Sequence, residues 1–431
     1  MLRGTMLHSR SIDTVDASRF GPVFRRPRYE DYCFWRIPWT IEQALTGTAE
    51  SRALPPDVLP GLSSEPVDQV ILLFIDGFGW RHFERYVERY PLLRRFVDEG
   101  MVTKLTSMFP STTTSHVTGI HTGLAPNQSG LYEWFQYHEA YDAMIAPLLF
   151  SYAGERGRDG LLAVGEDPGK LIRAQTIHER LREAGVHSDY VTPAMFTPSP
   201  YNDQVCRGAE GHPYKDIADG LTQLKALAEA PLGEPRYLHF YFGDIDATSH
   251  HHGLFSEEME AATALCLSLL EEWLGAFTPP ARGRTLVLLT ADHGMTETFA
   301  ERTVYLNQAW PELEEAFCRN SRGAIVPAGS PRDFFLHVRN DAVAEVADGL
   351  RRLLEGVAQV HETSELIREG FFGPGEPSSA FAGRVGNLVV LPHEGESVWW
   401  YEPGRFQNAH RADHGGLTPQ EMDIPLMALR A

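Results

Sequence analysis

Two apolar runs that each stop at an acidic residue constrain this chain more than anything else in it. Ile71-Leu72-Leu73-Phe74-Ile75 runs into Asp76-Gly77, and Thr285 to Thr290 runs through Ala291 into Asp292-His293-Gly294. A short continuous apolar run bounded by a turn signal has the pattern of a strand buried on both faces. Such strands belong to parallel sheets covered by helices, and open α/β sheets gather their ligands beyond the carboxyl ends of the strands. Carboxylates and an imidazole delivered there are metal-grade ligands.

Three further groups extend the set. Phe109-Pro110-Ser111-Thr112-Thr113-Thr114-Ser115-His116 is a run of hydroxyls opening a helix-like segment, Asp246 and His250 stand four residues apart, and Asp413-His414-Gly415-Gly416 comes late in the chain. Hard oxygen and nitrogen ligands in this number suit two divalent cations about 4 Å apart flanking one nucleophile, the arrangement that hydrolyses phosphate esters. Phosphoryl transfer needs a nucleophile held in line and neutralised non-bridging oxygens. A threonine hydroxyl serves only if a bound cation lowers its pKa. Ligation without thiolate permits zinc and also manganese, whereas magnesium prefers more oxygen and water.

In their order along the chain, Asp76-Gly77, the hydroxyl run, Asp246-x-x-x-His250, Asp292-His293-Gly294 and His414-Gly415 resemble the alkaline phosphatase superfamily. Within it they are most similar to the type I phosphodiesterase and nucleotide pyrophosphatase branch. The resemblance covers residues 68 to 300 and the last two dozen residues. It implies an α/β, alkaline-phosphatase-like fold with a central, mostly parallel sheet flanked by helices. It places Asp76, Thr113, Asp292 and His293 around one divalent ion and Asp246, His250 and His414 around the other, with zinc the expected metal. Of the three threonines, Thr113 matches the family's pattern from Pro110 to Pro126 without a gap and is the implied nucleophile, forming a phospho-threonine intermediate. Thr112 and Thr114 are left to cap the helix.

The same register puts His116 where the branch carries an asparagine that donates to the phosphate. Protonated, His116 favours a dianionic monoester; neutral, it serves a diester; the plain alternative is a helix histidine bonded to a nearby carbonyl. Just beyond lie the aromatics Tyr132, Trp134 and Phe135, which stack on a planar leaving group or else pack the core.

A net charge of −20 and a pI near 5.3 argue against a nucleic-acid polymer or an anionic membrane as partner. The expected partner is a small phosphate-ester substrate, and no oligomeric state is readable. Cys33, Cys206, Cys266 and Cys318 are scattered without a Cys-x-x-Cys pair and read as small buried hydrophobes. No stretch approaches 18 apolar residues, so no membrane span is expected. Met1 to His8 lead into no apolar run of the length a signal peptide needs, and the expected location is the cytoplasm.

The periodicities divide the chain into an irregular N-terminal arm over 1–65, a catalytic α/β core over 66–295 and 401–431, and an inserted, smaller α+β cap over 296–400. Within the core, one amphipathic segment is predicted from Trp80 to Val97, a strand from Tyr237 to Phe242, and a helix capped by Ser256. The expected function is a two-metal phosphoric ester hydrolase cleaving a small phosphodiester or nucleotide pyrophosphate. The alternatives are a phosphomonoesterase or phosphonate hydrolase of the same superfamily, and a non-catalytic metal-binding protein. A sulfatase is disfavoured, because the chain has neither Cys-x-Pro-x-Arg nor Ser-x-Pro-x-Arg.

Overall fold

The structure, a computed structural model, describes residues 6–48, 50–59, 66–280 and 283–431. The stretches 1–5, 49 and 60–65 of the expected arm lie outside the described residues. Seven strands form the main sheet: β1 (Gln69–Ile75), β2 (Met101–Thr106), β3 (His187–Pro193), β4 (Glu210–Tyr214), β5 (Arg236–Phe242), β6 (Thr285–Thr290) and β7 (Asp423–Arg430). Their spatial order is β2-β7-β6-β1-β5-β3-β4, and only β7 runs antiparallel to its neighbours.

Every residue of β1 and β6 is buried, as unbroken apolar runs require. Alternate side chains serve opposite faces. Ile71, Leu73 and Ile75 pack with Met259, Cys266 and Leu270 of the long helix Glu257–Ala276, whose start Ser256 caps. Val70, Leu72 and Phe74 pack under Phe34, Trp35, Trp39 and Ile41.

That second face corrects the reading of the first 65 residues as irregular. Their described part contains helices Ser9–Ala17 and Ile37–Thr46, and it is anchored by Arg25, which makes hydrogen bonds of 2.7 and 2.8 Å to Asp423. The segment from Trp80 to Val97 is likewise two helices, Trp80–Tyr86 and Pro91–Glu99. Pro91 cannot continue a preceding helix but is well suited to begin a new one.

Within residues 296–400, strands Ala328–Ser330, Asp333–Leu336, Leu388–Pro392 and Ala358–Glu362 form an antiparallel sheet in that spatial order. Helix Val343–Leu353 packs its Val346, Ala347 and Leu350 into the apolar cluster beside it. Arg332, fully buried, reaches out of this unit to Glu421 with two hydrogen bonds of 2.9 Å.

Candidate metal centre

The candidate ligands collect beyond the carboxyl ends of β1, β5 and β6. Asp76 directly follows β1, and Gly77 behind it turns the chain at φ 74°. A Cβ there would stand 3.1 Å from the Asp246 Cα, so the turn needs glycine for both conformation and closeness. β5 leads into helix α1 (Asp244–His252), with Asp246 in the first turn and His250 one turn later on the same face. Asp292 and His293 follow β6, and Thr113 opens helix α2 (Thr113–Thr122).

Thr113 Oγ1 lies 3.4 Å from Asp76 Oδ2 and 3.4 Å from His293 Nε2. His293 Nε2 is in turn 3.4 Å from Asp76 Oδ1 and 3.3 Å from Asp292 Oδ2. Alongside, Asp246 Oδ1 is 3.3 Å from His250 Nε2 and 3.5 Å from His414 Nε2. The His293 and His414 rings stack with centroids 3.6 Å apart, which joins the two groups into one centre.

All three imidazoles are anchored at the far nitrogen. Nδ1 of His293, His250 and His414 donates to the carbonyl oxygens of Gly294, Ala412 and Ser111 at 3.1, 2.8 and 2.9 Å. In a neutral ring each Nε2 therefore points a lone pair at carboxylate oxygens. Asp76 Oδ1, Asp246 Oδ1 and Asp292 Oδ2 are buried and accept no hydrogen bond. Lone pairs facing lone pairs across 3.3 to 3.5 Å is the arrangement that a cation between them resolves, and these donors fit divalent ions.

The electrostatics of the bare protein agree. Burial first, and then Asp292 and Asp246, push the Asp76 carboxyl well above the usual carboxylate range. Burial raises Asp292 to about 7. Burial also holds His293 neutral, whereas at His250 the carboxylates of Asp246 and Asp413 outweigh burial and raise the ring to about 9. A proton on His250 there does part of what a cation would do. Asp413 accepts the His414 backbone N–H at 3.0 Å and lies 3.3 Å from His410 Nδ1, so this pair sits behind the ligands and orients them.

Three of the expected site residues lie elsewhere. His116 is fully buried behind α2, where its Nδ1 donates to Thr112 O at 2.8 Å and its Nε2 accepts from the Met108 N–H at 2.9 Å. Burial lowers it to about 3, so it neither carries charge nor has a nitrogen free to donate to a phosphate. The plain structural alternative holds. Tyr132 is core, edge-on to Phe335 and Phe381, with its hydroxyl donating to Arg384 O. Phe135 packs against Trp399 and Phe406.

Trp134 alone of that aromatic cluster reaches the site. It borders a cavity of about 280 Å³ that is shared by Asp76, Thr113, Asp246, Phe196 and Tyr241, with Arg158 at its wall. Tyr241 was missed from the sequence: its hydroxyl donates a short hydrogen bond to Asp76 Oδ2. The strand carrying it was legible, but not which face of that strand meets Asp76.

The family model for type I phosphodiesterase / nucleotide pyrophosphatase matches residues 70–417. Ectonucleotide pyrophosphatase/phosphodiesterase family member 3 of Rattus norvegicus is 22% identical over 324 residues, 73% of this chain and 34% of the relative. Venom phosphodiesterase 2 of Crotalus adamanteus is 23% identical over 319 residues, covering 71% and 35%. The match thus spans about a third of the length of these curated relatives. Among solved structures, murine ectonucleotide pyrophosphatase/phosphodiesterase 5, an inactive variant in complex with AMP, superposes with a TM-score of 0.62 at 17% identity over 84% of this chain and 88% of that one. The human counterpart gives 0.62 at 16% identity, covering 84% and 87%. Fold, ligand geometry and family match agree that the chain belongs to the type I phosphodiesterase / nucleotide pyrophosphatase family of the alkaline phosphatase superfamily.

Proposed function

We propose that this protein is a two-metal phosphodiesterase that cleaves a small phosphodiester or nucleotide pyrophosphate through a phosphorylated Thr113. One observation carries the reading. Thr113 Oγ1 stands 3.4 Å from both Asp76 and His293, at the first residue of a helix and at the edge of the aromatic cavity. Two divalent ions, zinc by expectation with manganese also suited, would be held by Asp76, Thr113, Asp292 and His293 and by Asp246, His250 and His414, and would supply the charge that acidifies the hydroxyl and neutralises the phosphate oxygens.

Thr113 Oγ gives up its proton to solvent and attacks phosphorus, the bond from phosphorus to the leaving oxygen breaks and that oxygen takes up a proton, and water then releases the phosphate monoester, with its remaining substituent, from Thr113. The amides at the α2 N-terminus face the anion. Asp413 and His410 hold the His250 and His414 rings in register. A diester is favoured over a monoester because the cavity is mostly apolar, with aromatic side chains for a second substituent, and because neutral, enclosed His116 adds no charge for a dianion. The AMP bound by the murine relative supports a nucleotide moiety in the substrate. Residues 296–400 are proposed to act as the cap that sets specificity.

Turnover of p-nitrophenyl phosphate, its bis ester and its thymidine-5'-monophosphate ester tests the proposal. Preference for the two diesters, with the phosphoryl group and its retained substituent trapped on Thr113 after acid quench, supports it. Preference for the monoester, or trapped phosphate on Thr112 or Thr114, overturns it.

A further inference from the structure

The same cavity borders a second set of ligating side chains that the proposed reaction does not use. His121 lies on α2 two turns beyond Thr113, His178 on helix Ile177–Glu183, and Cys206 just after the short helix Asn202–Val205. Each brings a ligating atom within 4.8 Å of the others. His239, from the middle of β5, sets its ring 4.6 Å from that of His121. The four side chains are between 0 and 4% exposed, yet His121, Cys206 and His239 border the cavity.

The hydrogen bonding of this group is incomplete. His121 Nδ1 and His178 Nε2 share one bond of 2.9 Å, while His178 Nδ1 and both nitrogens of His239 have no partner. Leaving a buried polar atom unpaired costs about 1–3 kcal/mol, and an aliphatic side chain would fill the same space without that cost. Burial keeps all three imidazoles neutral, so they are ready as ligands without losing a proton.

We propose that His121, His178, His239 and Cys206 bind a third transition-metal ion, a zinc, separate from the centre at Thr113. Three imidazoles with one thiolate form a closed tetrahedral donor set of the structural kind, unlike the carboxylate-rich catalytic set. Metal–nitrogen bonds of about 2.0–2.1 Å and a metal–sulfur bond of about 2.3 Å put tetrahedral ligand atoms about 3.3–3.6 Å apart. Among His121, His178 and Cys206 the ligand atoms lie within 4.8 Å of one another, with one pair at 2.9 Å, which brackets that range, and rotation of the His239 ring beside His121 would supply the fourth donor. On binding, the Cys206 thiol releases one proton to solvent and the thiolate sulfur bonds the ion. The bound ion ties α2, β5 and the segment carrying Cys206 into one floor beneath the cavity.

Cobalt separates this site from the other centre, because only a thiolate gives the near-ultraviolet sulfur-to-cobalt charge-transfer band. Among the described residues, Cys206 is the only cysteine grouped with possible co-ligands. The full chain loaded with cobalt should bind three ions and show the band. Cys206→Ser should lose the band and one ion, whereas Asp292→Ala with Asp246→Ala should keep the band while losing ions from the other centre. A band that survives Cys206→Ser, or wild-type protein that never shows one, overturns the proposal whatever the phosphodiesterase assays give. X-ray absorption on the zinc-loaded wild type needs no variant to fold: a sulfur neighbour at about 2.3 Å supports the site and its absence overturns it.

Discussion

Arg332–Glu421 and Asp76–Asp292 are both buried charged pairs, but the chain treats them in opposite ways. Glu421 accepts two guanidinium N–H bonds of 2.9 Å, the Gly416 N–H at 3.0 Å and the Thr418 hydroxyl at 2.6 Å. Asp76 and Asp292 each keep a buried oxygen with no donor, and Asp292 adds to burial in raising the Asp76 carboxyl. A burial scale ranks the two pairs alike. What separates a tether from the candidate centre is therefore the unmet partner: one pair is complete within the protein, the other is not.

Thr113→Ala strikes the incomplete pair's neighbourhood hardest. It should lower kcat on the order of 10⁴-fold or more, as loss of a nucleophile from a concerted set does, while elemental analysis still finds the ions. Unchanged turnover would remove Thr113 from the centre. Glu421→Ala attacks the complete pair and should cost about 3–5 kcal/mol in urea unfolding by stranding the buried Arg332 charge, with turnover per folded molecule retained. A cost under about 1 kcal/mol would erase the contrast.

The third prediction uses pH on metal-free protein. Asp292 titrates near 7 when folded and near 3.9 when unfolded, so the unfolded chain gives up its proton first as pH rises. Stability from this group is complete below about pH 4 and is lost as pH climbs through about 7, a fall on the order of 4 kcal/mol. Asp292→Asn should make the curve shallower and Asp76→Asn with Asp292→Asn should flatten it, and a slope unchanged in the double variant would assign the effect elsewhere. The smallest effect is expected from Trp134→Ala. It should raise KM about 5- to 10-fold for a diester with an aromatic second substituent and leave a methyl diester unaffected.

The contrast also explains what could be read from sequence. Asp76, Asp292 and His293 were legible because they follow apolar strands, and Asp246 and His250 because they sit one helical turn apart, whereas Thr113 and His414 were singled out by the family resemblance. His116 was not legible, since the family register puts it where an asparagine donates to the phosphate, but Ser107 and Met108 reach its ring and capture it. Tyr132 and Phe135 carry no period that could separate them from Trp134. The His121, His178, His239 and Cys206 group comes from four distant segments with no common spacing, and adjacency arises only once β3 and β5 pair and the helices settle on them. The helix Ser9–Ala17 escaped because only Ser11 and Val15 in it are buried, too few for a stripe.

The position of β7 carries a consequence for how the molecule assembles. The last strand in the chain is slotted between β2 and β6, inside the sheet rather than at its margin. Until residues 423–430 arrive, two strands present bare backbone edges to each other across a gap one strand wide, which is the template on which foreign strands and neighbouring chains add. The antiparallel entry of β7 closes both edges at once, and the turn before it carries Glu421 into its bond with Arg332. Deletion within residues 423–430 should therefore show first as aggregation during folding, before any defect in the chemistry.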